Sequence, residues 1–189
     1  SYSLTEAYLQ TKFEPYSAHT EALFVNGALL PDAEIAAAVS QLKNGTCLVA
    51  GGVPVAFCTH AGSAAYESVE ELALSLQPVA YNGAVQWLRH TFDIFKMNGS
   101  ALKADFALLT KGRTSQPLSA TNTVIGSAEQ IFLEEGAKAE ASIFNTTEGP
   151  IYIGKDAEVM EGCTVRGPFA LCEHAALKMA CKVYGPTTL

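Results

Sequence analysis

Residues 153–189 read IGKDAE VMEGCT VRGPFA LCEHAA LKMACK VYGPTT L, and every block of six opens on an aliphatic: Ile153, Val159, Val165, Leu171, Leu177, Val183 and Leu189. An α-helix returns its apolar face every 3.6 residues and a strand every two, so a strict period of six marks a chain that turns a corner after each short strand. The segment is therefore predicted to wind as a solenoid. Four residues after each aliphatic come Ala157, Cys163, Phe169, Ala175, Cys181 and Thr187, mostly small enough for the inside of a narrow prism. Phe169, the large exception, follows Gly167 and Pro168. Polar or turn-tolerant residues such as Gly154-Lys155-Asp156 and Glu161-Gly162 fall between these positions and suit the corners. Cys163 and Cys181 lie eighteen residues apart at one hexad position, which stacks them as core fillers if three hexads complete a coil.

Upstream of Ile153 the period loosens. Ile125 and Leu133 resemble imperfect hexad starts, and Ala139 is followed by Ile143 in the small-residue slot. Ala139 to Ile153 spans fourteen residues where two hexads need twelve, so the extra pair is expected to loop out between Asn145 and Pro150. Residues 111–123 are polar and contain a proline, which makes them the best domain boundary. Residues 1–110 read as mixed α/β. A helix is expected over Leu4 to Lys12, and a strand from Glu21 to a turn at Asn26-Gly27. A second helix runs from Pro31-Asp32 through Ile35, Val39 and Leu42. Gly51-Gly52 signals a hairpin between Thr46–Ala50 and Val53–Cys58, with Pro54 placing the second strand on an edge. Ser68 and Glu71 form a capping box for a helix through Leu76, and a last helix is expected from Asn98 or Ser100 to Gly112.

The formal charge of -7 and a pI near 5.0 argue against a surface that holds nucleic acid or anionic lipid. No apolar run approaches the length of a membrane span and no signal peptide is visible. Five cysteines, odd in number and without CxxC spacing, point to reduced thiols in a cytoplasm. The chain starts at Ser1 and stops on an inward aliphatic without a polar capping unit, so it is expected to be a fragment of a longer protein.

The hexads of 153–189 resemble the left-handed parallel β-helix of the hexapeptide-repeat acyltransferases. Together with Ser115-Gln-Pro-Leu-Ser-Ala-Thr-Asn-Thr, Gly149-Pro-Ile-Tyr-Ile-Gly and Arg166-Gly-Pro-Phe-Ala, they make the whole chain resemble the Bacteroidetes version of the bifunctional UDP-N-acetylglucosamine pyrophosphorylase and glucosamine-1-phosphate acetyltransferase family. That resemblance implies a reduced nucleotidyltransferase-like α/β domain over residues 1–110, a connector over 111–123, and a left-handed β-helix over 124–189, truncated at its C-terminal end. It also implies sugar phosphate and nucleotide as partners, a homotrimer formed through the β-helix, Mg²⁺ as cofactor, and acetyl-CoA as co-substrate of further coils. In such nucleotidyltransferases two aspartates hold the metal, whose hard charge neutralises the triphosphate. Phe24-Val-Asn-Gly-Ala28 resembles the first site, with Ala28 where the aspartate belongs. Phe92-Asp93-Ile-Phe-Lys-Met-Asn98 resembles the second, which makes Asp93 a candidate metal ligand and Asn98 a candidate substrate contact.

Each of these residues also has a plainer role. Asp93 is either a metal ligand or a helix-capping acid, and Asp32, near enough to replace the missing ligand, suits a helix N-cap. Lys111 and Arg113 are candidates for binding a sugar phosphate, or form a solvated helix end. His174, the only histidine of the solenoid, sits at a corner and is assigned to the surface; the catalytic residues stay unknown. Two functions follow. One is a fragment of a sugar-phosphate nucleotidyltransferase and acyltransferase, inactive as it stands. The other is a non-catalytic scaffold that assembles or orients a trimeric hexapeptide acyltransferase, favoured by Ala28 and a shortened domain.

Overall fold

The structure is a computed structural model that describes residues 11–12, 21–60 and 69–189. Its contacts divide the chain into two units, Ser1–Arg89 and His90–Leu189. Most of the helix expected over Leu4 to Lys12, and Ser68 of the expected capping box, lie outside the described residues.

The first unit is a small α/β fold. Strands β1 (Glu21–Val25), β3 (Thr46–Ala50), β4 (Val53–His60) and β5 (Gln77–Ala80) form a sheet in the order β1-β4-β3-β5. The short β2 (Leu29–Leu30) and β6 (Gln86–Trp87) pair separately. Helix α1 (Ala33–Ser40) buries Ile35 and Val39 against Leu48 and Val55, while α2 (Val69–Ser75) brings Ala73 to the cluster of Cys47 and Phe57. The β3–β4 hairpin turns as expected on Gly51 and Gly52, whose φ angles of 56° and 82° belong to the left-handed region glycine tolerates. Pro54 departs from expectation, since β4 lies in the sheet interior. β1 flanks β4 only along Ala56 to His60, and the β3–β4 register shifts between Leu48 and Val49, so the missing N–H falls beyond one ladder and beside an irregularity of the other.

The second unit is a parallel β-helix with one long helix against it. One face stacks β7 (Thr123–Ile125), β10 (Ile143–Asn145), β13 (Thr164–Arg166) and β16 (Lys182–Tyr184). The next stacks β8 (Ile131–Leu133), β11 (Ile151–Ile153), β14 (Phe169–Leu171) and β17 (Thr187–Thr188). The third stacks β9 (Lys138–Ala139), β12 (Glu158–Val159) and β15 (Ala176–Leu177). Both hexad registers point inward: Ile153, Val159, Val165 and Leu171 are buried, and so are Ala157, Cys163 and Phe169. One expectation needs revision here. Phe144 fills the interior at 0% exposure while Ile143 faces out at 40%, because β10 and β13 align Phe144 with Val165. Leu189 is half exposed on the last coil. The loop lies where expected but holds three extra residues rather than two, since five separate β10 from β11 while two separate β13 from β14; β9 and β10 are one residue closer than β12 and β13.

The polar connector closes the first coil. Ser115 Oγ accepts the Leu133 N–H, the Gln116 N–H bonds to the Leu133 carbonyl, and the Asn122 side chain donates to the Ala139 carbonyl and accepts from the Ser142 N–H. Leu118 packs against the core. These bonds satisfy strand-edge groups that would otherwise be open.

Helix α3 (Thr91–Thr110) starts seven residues before the expected Asn98. The sequence predicts a break at Asn98-Gly99, but this pair lies mid-helix because α3 crosses the β-helix there. A side chain at Gly99 would place its Cβ 2.9 Å from Pro186 Cγ, and the Thr188 hydroxyl donates to Asn98 Oδ1 at 3.0 Å. Glycine is present for close approach, which offsets its helix cost of about 1 kcal/mol. By contacts α3 groups with the β-helix, whereas the sequence boundary at 111–123 leaves it with the α/β part.

Two substitutions test the packing. Leu171→Ala should cost about 2–5 kcal/mol, since it leaves a void between coils. Gly167→Ala should also destabilise by about 1–3 kcal/mol, because its Cβ would lie 2.1 Å from the Gly149 carbonyl oxygen. Urea denaturation measures both, and wild-type midpoints for either variant would contradict the stacking.

Candidate functional site

The loop after β1 is built by Asn26. Its Oδ1 accepts the Ala28 N–H at 3.0 Å and its Nδ2 donates to the Pro54 carbonyl at 3.1 Å, while the Leu88 N–H bonds to the Ala28 carbonyl. The loop is well ordered by hydrogen bonds, yet at Ala28 it presents only a methyl group. Asp32 gives no substitute ligand, for its Oδ1 accepts the Ile35 N–H at 2.8 Å and caps α1. Asp93 occupies the first turn of α3, where its Oδ2 accepts the His90 N–H at 2.9 Å. This satisfies helix-terminal amides and places a negative charge at the positive end of the helix dipole. Lys96 sits over the Phe92 ring at 4.5 Å.

A divalent ion that bridges phosphates needs hard oxygen ligands from converging carboxylates. The described residues do not fit one. The Ala28 side chain has no oxygen, Asp32 and Asp93 cap helices, and no group of three or more histidine, cysteine, aspartate or glutamate side chains among the described residues is arranged to hold a metal.

A polar network is assembled where α3 meets the first coil. Arg113 follows the helix end, where Lys111 is exposed and Gly112 takes a φ of 71°. The Arg113 guanidinium donates to the Leu109 carbonyl at 3.1 Å and to Glu134 Oε2 at 2.5 Å, and lies over the Phe132 ring at 5.2 Å. The Tyr152 hydroxyl donates to Glu134 Oε1, and its ring stacks on Phe132 with centroids 5.9 Å apart. The Arg113 hydrogen bond holds the Glu134 carboxyl below its ordinary range, although burial opposes this. Burial, then the bond to Glu134, raises the Tyr152 phenol. The bond to Glu134 likewise raises the Arg113 guanidinium.

Beside this network lies a cavity of about 630 Å³ lined in part by Phe106, Thr110, Arg113, Gln116, Glu129 and Phe132. Of the predicted site residues, only Arg113 lines it; Asn98 bonds to Thr188 and Asp93 caps α3. His174 is exposed at a corner, 3.5 Å from Glu173 and 4.0 Å from Asp156, as its surface assignment required. The sequence did not single out Glu134, Phe132 or the role of Tyr152. No sequence spacing announced the network, because the coil from β8 to β11 spans twenty residues and sets Tyr152 over Phe132, within reach of Glu134.

A family model described as sugar nucleotidyl transferase matches residues 1–114. The chain belongs to this sugar nucleotidyl transferase family. No curated protein matches it. The match takes in the α/β unit, α3 and Arg113, and ends before the first strand of the β-helix. A nucleotidyl transferase portion and a β-helix are thus joined through the capping connector. Among the described residues no helix is long and apolar enough to cross a membrane.

The network has a pH signature. Because the native Glu134 carboxyl titrates below its ordinary value of 4.5, its contribution to stability is complete above that value and is lost as the pH falls towards the depressed native one. Glu134→Gln should therefore be less stable than wild type at neutral pH. The gap should narrow as the pH drops below the ordinary carboxylate range. Denaturation midpoints across that range measure this, and a gap that widens in acid would contradict the ion pair.

Proposed function

We propose that the chain is part of a transferase of nucleotide-sugar biosynthesis, of the UDP-N-acetylglucosamine type, in which a sugar nucleotidyl transferase domain is joined to a hexapeptide-repeat acyltransferase β-helix. The observation that carries this reading is the coexistence of the family match over residues 1–114 with a stacked β-helix over the remaining third of the chain. Sugar phosphate and nucleotide are the substrates of the first domain. Acetyl-CoA is the co-substrate of the second, held between β-helices of a homotrimer in which the left-handed coils pack. The setting is cytoplasmic, consistent with free thiols at all five cysteines.

In this reading the nucleotidyl transferase domain is inactive. Ala28 removes one of the two acids of a nucleotidyltransferase metal site, and Asp32, the nearby acid, caps α1 instead. No step through Mg²⁺ is assigned for that reason. The same observation favours the second reading, that the α/β unit is a non-catalytic scaffold orienting a trimeric acyltransferase.

Two measurements separate these readings. Incubation with UTP, Mg²⁺ and N-acetylglucosamine-1-phosphate should release no pyrophosphate above background, and release would overturn the inactivity. Thermal melting with UTP or a UDP-sugar then distinguishes a nucleotide site from a scaffold. A site gives a ligand-dependent rise in melting temperature, and a scaffold gives none.

A further inference from the structure

Cys163 and Cys181 stand at one inward position of successive coils. Thr164 pairs with Lys182, and the Thr164 N–H bonds to the Cys181 carbonyl at 2.9 Å, so Cys181 lies directly over Cys163. Adjacent parallel strands run about 4.8 Å apart, within the Cα separations of about 4.4–6.8 Å that a disulfide spans. Both residues pack into the prism core, so their side chains leave the backbone in the same direction. The Cys163 sulfur also leans towards the later coil. It lies 3.2 Å from the Lys178 carbonyl, which accepts the Cys181 N–H.

The two thiols differ in access and surroundings. Cys163 is fully buried, whereas Cys181 is half-buried and can be reached by a small solute. Burial pushes the Cys163 thiol up, against an opposing pull from the Cys181 and Ala180 amides and the Ser142 hydroxyl, donors that would hold the thiolate once formed. Among the described residues no other two cysteines share a stacking position. Cys172 is exposed, Cys47 pairs across the first sheet with Phe57, and Cys58 pairs with Thr46 and donates its thiol to Glu21.

We propose that Cys163 and Cys181 form a reversible oxidation site, closed to a disulfide by hydrogen peroxide, that ties the coil of β13 to the coil of β16. The Cys181 sulfur attacks one peroxide oxygen, the O–O bond breaks, and the departing hydroxide takes up the thiol proton as water. The Cys163 sulfur then attacks the Cys181 sulfenic acid. An S–S bond forms, the S–O bond breaks, and a second water carries off the Cys163 proton. Two thiols are oxidised and one peroxide is reduced to two waters. The closed loop of eighteen residues restrains the unfolded chain more than the native one, whose coils are already stacked. The site does not rest on the transferase reading, since it needs only the stacked pair and a peroxide.

The test treats the full chain with hydrogen peroxide, blocks remaining thiols with iodoacetamide, and reads the digested protein by mass spectrometry. The expected product is a peptide pair linked through Cys163 and Cys181, two hydrogens lighter than the reduced pair and reopened by dithiothreitol. Closure should be faster in mildly alkaline than in neutral buffer, because the buried sulfur must ionise. Cys163→Ala and Cys181→Ala should each abolish the link, and Cys172→Ala should leave it intact. The oxidised wild type should melt at a higher temperature than the reduced form, with no such shift in Cys181→Ala. The wild-type products decide the matter even if a variant fails to fold. Oxidation of Cys181 to sulfinic acid with Cys163 still reduced would overturn the proposal, as would a link that uses Cys172 instead. A lower melting temperature for the linked protein would also overturn it.

Discussion

Side chains that enter the prism must stack on the side chain at the same position one coil away, because adjacent parallel strands lie only about 4.8 Å apart. Every other feature of the second unit depends on that constraint. The ladders are Val124-Phe144-Val165-Val183, Ile131-Ile151-Phe169-Thr187, Leu133-Ile153-Leu171 and Ala139-Val159-Leu177. Each mixes bulk and slenderness so that rings such as Phe144 and Phe169 have a smaller or branched neighbour above and below. Ala157 and Cys163 leave the room that those rings take up. Since the inward positions are fixed, the outward ones are fixed too. Phe132 and Ala170 therefore form a strip on the second face, and both are buried although they point away from the prism.

That outward strip explains α3. None of its own residues is fully buried, yet it crosses the β-helix from Asn98 near Thr188 to Arg113 over Phe132. Its position is set by a few specific contacts: a glycine against a proline ring, an amide to a hydroxyl, and an arginine clamped by Glu134. Polar contacts at partly exposed sites contribute modestly to stability, but they are directional and fix register. The cavity is a product of this arrangement, for it occupies the space the helix end and the capping connector leave beside the first coil.

Much of the second unit was legible in the sequence, because a period of six has no other regular solution and each hexad repeats the signal. The first coils were less so. Ile143 was assigned inward on hexad counting alone, and nothing local reports that Phe144 aligns with Val165 across a coil. Helix α3 was cut short for a similar reason: Asn-Gly is a stop signal locally, and only the approach of Pro186 makes the glycine a helix-interior residue. Pro54 misled because its edge preference depends on how far the neighbouring strand extends. At the candidate site, Asp32 as an N-cap followed from Pro31 and the apolar helix after it, whereas the Arg113, Glu134 and Tyr152 network joins positions 18 to 39 residues apart and emerges only once the coils are stacked. Ala28 was informative at both levels, since the absence of a side-chain oxygen is as plain in the sequence as in the loop.

The eighteen-residue stack is most directly tested by interstrand nuclear Overhauser effects on isotope-labelled protein. Backbone contacts should join Val165 to Val183 and Ile153 to Leu171, with parallel-strand pattern and no helical contacts three residues apart in this segment. Helical connectivities, or antiparallel cross-peaks within 153–189, would contradict the β-helix and everything placed upon it.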